Sequence, residues 1–68
     1  MYSLEFIRGN DKEVQTDTQK NRLIRYAKQA MRKSSVECYA TITDDEDDEI
    51  IFEAGGCSTD GITVHTHN

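Results

Sequence analysis

Six consecutive carboxylates, Asp44, Asp45, Glu46, Asp47, Asp48 and Glu49, are the most unusual chemistry in this sequence. Crowded like charges destabilise a tight turn unless they are solvated or paired, so the run reads either as a solvated loop or as an anionic surface that meets a partner. As a surface it would mimic the phosphate spacing of a nucleic acid and occupy a basic groove on another protein. Calcium is a weaker fit, because the run has no glycine at the turn position and no Glu at the twelfth position of an EF-hand loop.

A second set of charges has the opposite sign. Arg22, Arg25, Lys28 and Arg32 recur along one side of a helical segment and would suit phosphates, which makes direct nucleic-acid binding the alternative function. Against it, Tyr26 is the only aromatic nearby, no base-reading motif accompanies it, and the chain's net charge of -5 repels nucleic acid over long range. A solvated helix face is the plainer reading. The charge is segregated along the chain: residues 36–68 hold nine acids and no Lys or Arg, whereas six of the eight basic residues fall between 17 and 35.

Other reactive side chains lack companions. His65 and His67 share one side of a strand and Cys57 lies nearby in sequence, but a standard zinc site would want two close pairs. Cys38 falls on an inward strand position and reads as a small core residue rather than a nucleophile. No Ser/His/Asp, Cys/His or paired-carboxylate set comes with an identifiable pocket, and no glycine-rich phosphate loop is followed by a lysine. A chain of 68 residues buries a small core and can hardly spare a deep cavity for catalysis. The expectation is a non-enzymatic binding protein with no cofactor and no metal.

The elements that carry these residues can be read from periodicity. Tyr2, Leu4 and Phe6 alternate with Ser3 and Glu5 as in a half-buried strand, and Gly9-Asn10-Asp11 supplies a turn. Thr16-Asp17-Thr18-Gln19 offers caps for a helix over 18–34, in which Leu23, Ile24, Ala27, Ala30, Met31 and Ser34 form one stripe roughly opposite the basic residues. Val36, Cys38, Ala40 and Ile42 then point inward from a strand, as do Ile50, Phe52 and Ala54 from the next, with the acidic run as their hairpin connection. Gly55 to Gly61 reads as a turn, and Ile62 to Thr66 as a last strand. The expected fold is a single α+β domain over 1–68, with one amphipathic helix packed on a small antiparallel sheet in the order β-α-β-β-β.

On the sheet face away from the helix, Ile7, Tyr39 and Ile51 interrupt a polar pattern and would serve as interface anchors beside the acidic residues. A two-fold homodimer through that patch and a monomer both remain open, because Glu5, Glu37 and Glu53 would face one another across it. The chain has no apolar run of the ~20 residues that span a bilayer, the start Met1-Tyr2-Ser3-Leu4-Glu5 lacks signal-peptide character, and two cysteines form no multi-bridge framework, so a cytoplasmic protein is expected.

In layout the chain resembles the small proteins that phages encode to disable host machinery, including anti-CRISPR proteins. The resemblance rests on its size, the lone helix from Thr18 to Ser34, the hairpin strands from Val36 to Thr66 and the acidic run 44–49. It implies a stoichiometric, cofactor-free inhibitor that acts in the host cytoplasm and binds a host protein with a basic surface, such as a nucleic-acid-handling complex. No site residue is carried over from it.

Overall fold

The computed structural model describes residues 1–66. The order along the chain is β1 (Tyr2–Arg8), β2 (Asp11–Asp17), α1 (Lys20–Lys33), β3 (Cys38–Asp44), β4 (Glu49–Cys57) and β5 (Gly61–Thr66). The strands form one antiparallel sheet in the order β2-β1-β3-β4-β5, with α1 packed on one face. The α+β class is as expected. The strand order is not, because an additional strand, β2, lies between β1 and the helix.

β2 escapes a reading by alternation because its sequence, Asp-Lys-Glu-Val-Gln-Thr-Asp, has a single apolar residue, and that residue, Val14, is 62% exposed on the face away from the helix. The strand is held by pairing instead of burial, in register with β1 from Tyr2↔Asp17 to Arg8↔Asp11. Gly9 makes the reversal possible: its φ of +58° suits the first central position of a tight hairpin turn, where a side chain would be strained.

Entry into α1 differs from the expected capping by the side chains of Thr16 to Gln19. Gln19 occupies the cap without a side-chain bond, and its own N–H donates to Asp17 Oδ1 at 2.8 Å. Leu23, Ala27 and Met31 are buried, and Ser34 closes the helix from a buried corner, donating to the Val36 carbonyl at 2.7 Å. The inward stripe of the helix is therefore placed as its periodicity predicts. Beneath it lie Leu4, Phe6, Ala40, Ile42, Phe52 and Ala54, all at most 2% exposed. Ala40 and Ala54 pair directly across β3 and β4, and such small side chains let Ala27 of the helix approach the sheet closely.

Two inward assignments are corrected. Val36 precedes β3 and is 50% exposed. Ile50 and Ile51 exchange faces, because the ladder shifts between Ile42 and Thr43: Ile42 pairs with Phe52, but Thr43 pairs with Ile50, leaving Ile51 as the extra residue of a bulge. One added residue reverses the phase of a strand. Ile50 is consequently 43% exposed, while Ile51 is half-buried against the core.

Candidate functional site

The acidic run occupies the tip of the β3–β4 hairpin. Asp44 ends β3 and pairs with Glu49, which starts β4, and residues 45–48 form the turn. Asp48 takes a left-handed φ of +53°, which short polar side chains tolerate better than most. Residues 45 to 49 are all exposed.

The tip is anchored to the N-terminal strand. Ser3 Oγ donates to Asp45 at 2.8 Å to Oδ1 and 3.0 Å to Oδ2. The Asp45 N–H donates to the Met1 carbonyl at 3.0 Å, and the Glu46 N–H donates to Asp44 Oδ1 at 3.1 Å. These bonds hold Asp44 and Asp45 in place but leave the negative charge uncompensated. Among the described residues the ion pairs are Lys12–Glu5 at 3.5 Å and Arg22–Asp17 at 4.0 Å, and neither involves the run.

Tyr39 stands on the open face, 45% exposed, beside Ile7 and Gly55 at the far end of β3 from the tip. Its hydroxyl donates to Glu53 Oε2 at 2.8 Å, and that bond, together with some desolvation and the carboxylate's charge, raises the phenol's pKa above 10.0. The structure does not bring Tyr39 and the acidic tip together. Nor does Ile51 join Tyr39 on the open face, since the bulge turns it towards the core. The apolar patch expected there is thus reduced to Ile7 and Tyr39, with Ile50 and Val14 exposed elsewhere on the same face.

Around Tyr39 the sheet face sinks into a cleft of about 400 Å³, whose walls include Glu37, Glu53, Asp60, Thr63 and His65. Gly55, which pairs with Tyr39 on that face, has no side chain to fill the hollow. Gly56 has no alternative: its φ is +133°, and a Cβ there would lie 2.1 Å from the Gly61 carbonyl oxygen. The Gly55-Gly56 pair, expected in a turn, belongs to β4.

The basic residues are on the outer side of α1. Arg22, Arg25 and Arg32 are exposed and Lys28 is partly covered, with Arg22 drawn towards Asp17. Tyr26 lies edge-on to Phe6, ring centres 6.3 Å apart, and its hydroxyl donates to Glu13 at 2.8–2.9 Å. Hydrogen bonds from Gln15 and then Tyr26 lower the Glu13 pKa below 4.5, and the bond to Glu13 raises that of Tyr26 above 10.0.

The cysteines and His65 do not converge. Cys57 is buried and pairs with Gly61, while His65 pairs with Glu53 at the other end of that hairpin. His67 lies outside the described residues. Among the described residues no helix is long and apolar enough to cross a membrane. No known family model matches the chain, and no curated protein or solved structure matches it.

Proposed function

We propose that this chain is a non-enzymatic binding module that sets its acidic hairpin tip, Asp44 to Glu49, against a basic surface of a partner protein and blocks it stoichiometrically. The observation that carries this reading is the state of the tip: six carboxylates, four in the turn and one at each flanking strand end, tied down by Ser3 and Met1, with no Lys or Arg paired to them among the described residues. A turn already ordered loses little entropy on docking, and its charges gain most where a partner supplies the cations. A surface built to hold phosphates is the complementary shape and sign. The same class of partner is the one implied by the sequence's resemblance, in size and acidic run, to phage-encoded host inhibitors, anti-CRISPR proteins among them.

A second reading, direct nucleic-acid binding by the helix, is favoured by Arg25 and Arg32, which are exposed and without an ion pair among the described residues. The two readings separate in one set of experiments. On the first, immobilised protein retains partner proteins that duplex DNA and high salt both displace. The combined substitution of Asp44, Asp45, Asp47 and Asp48 by Asn abolishes retention while the circular dichroism spectrum is unchanged. Undiminished capture by that variant refutes the tip as the binding surface. A gel shift with duplex DNA or single-stranded RNA at ~0.1 M salt, lost on changing Arg25 and Arg32 to Gln, would establish the second reading in its place.

A further inference from the structure

The two edges of the sheet are built differently. β2 is a guarded edge: Asp11, Lys12, Glu13 and Asp17 put charge along it, and Tyr26 of the helix bonds to Glu13. Charged side chains are the common means of preventing a sheet edge from pairing with another chain. β5 has no such guard. Gly61–Thr66 contains no Asp, Glu, Lys or Arg, and Ile62, Thr63, Val64 and Thr66 are β-branched. Among the described residues the strand pairs only with β4, so its outer row of backbone groups faces away from the sheet. Val64 shares the helix-side face with its partner Ala54 yet remains 39% exposed.

We propose that β5 is a docking edge for β5 of a second copy of this chain, joining two five-stranded sheets into one continuous antiparallel sheet about a two-fold axis. This does not depend on the reading of the acidic tip.

Charge selects the second copy as occupant. An edge without Asp, Glu, Lys or Arg opposes no such charge to itself, whereas a pairing of two β2 edges would confront charged side chains with charged side chains. The Thr66 end of β5 lies beside Phe52, towards the acidic tip, and the Gly61 end lies away from it. Antiparallel pairing therefore sends the two tips to opposite ends of the joined sheet, where like charges are far apart. The open face offers no such arrangement, since Glu5, Glu37 and Glu53 would meet their own copies there.

The pleat determines the register. To keep both helices on one side, residues of like parity must pair; centring the axis on Thr63 or on Val64 gives equal overlap of 61–66, and of the two the Thr63 register sets the apolar Ile62 and Val64 against each other. Ile62 then pairs with Val64 of the second copy on the helix side, covering the apolar surface that α1 leaves exposed. Gly61 pairs with His65 on the other side.

Light scattering and sedimentation from micromolar to millimolar protein test the proposal. The expected result is a concentration-dependent dimer. Thr63→Lys, at an exposed position, sets two ammonium groups against each other at the axis and moves the midpoint to higher concentration by about tenfold, with an unchanged circular dichroism spectrum. Tyr39→Glu leaves the dimer intact. In the dimer the amides of residues 62 to 65 are all protected from hydrogen exchange, whereas a free edge protects alternate ones only, and isotope-filtered spectra show a Thr63–Thr63 contact between copies. A monomer at every concentration overturns the proposal, as does a dimer that Tyr39→Glu dissociates and Thr63→Lys does not.

Discussion

The acidic tip and the basic helix face carry opposite charge, and the protein treats the two differently. On α1 the cations stand along a cylinder on long, flexible stems, and one of them, Arg22, leans towards Asp17. Lys33 and Arg32 also lie in the last turn, where the helix dipole favours them. At the tip four of the six side chains are short aspartates, residues 45–48 form a turn, and Asp45 is anchored by Ser3 with no Lys or Arg paired to it among the described residues. Basic charge on the helix is thus partly compensated within the fold. At the tip Asp44 and Asp45 accept hydrogen bonds, but among the described residues no Lys or Arg offsets the crowded negative charge.

The most severe way to break this contrast is to remove the support beneath the tip. Phe52, fully buried and paired with Ile42 at the bulge, should cost about 3–5 kcal/mol on replacement by Ala, enough to unfold a domain this small. Urea titration followed by circular dichroism would show loss of the cooperative transition.

Next in size is the charge itself. Replacing Asp44, Asp45, Asp47 and Asp48 by Asn should raise Tm by a few degrees at low salt, and the gain should disappear in high salt, where screening already relieves the repulsion. Replacing Arg25 and Arg32 by Gln should shift Tm by less, in either direction. If the Asn variant melts lower than the parent at low salt, the tip is a stabilising element and the contrast fails.

The smallest effect expected is a pH dependence at the guarded edge. Glu13 has a folded pKa below its ordinary 4.5, so its contribution is present above that value and is lost as pH falls through the lower, folded one. Tyr26 and Tyr39 have folded values above 10.0, so theirs is present below pH 10.0 and is lost as pH rises through the raised values. Glu13→Gln should flatten the acid limb of Tm against pH slightly, and Tyr26→Phe should do so at both limbs.

How much of this was legible beforehand varied with the physical cause. Leu23, Ala27 and Met31 announce a helix face because burial imposes a period, and Cys38, Ala40 and Ile42 announce a strand for the same reason. β2 is stabilised by backbone pairing and by Tyr26 reaching Glu13 from another element, which leaves no period to find. The exchange of Ile50 and Ile51 arises from a register shift between strands, a relation that neither strand's own sequence contains. Of the candidate site, the acidic run was evident by composition. The cleft around Tyr39 was not, since it depends on two glycines within β4 and on Asp60 and His65 arriving from the next hairpin.

The position of β1 between β2 and β3 also bears on how fast the chain folds. β1–β2, β3–β4 and β4–β5 join neighbours across short turns, and such hairpins close in about 1–10 μs. The β1–β3 seam must instead bring Arg8 to Cys38 across the whole of β2 and α1, paying the loop-closure entropy before any contact repays it. Docking of the N-terminal hairpin onto the C-terminal meander is therefore the step expected to limit the folding rate. Weakening Leu4 or Ile42, which face each other across that seam, should slow refolding, while a change confined to β5 should chiefly hasten unfolding.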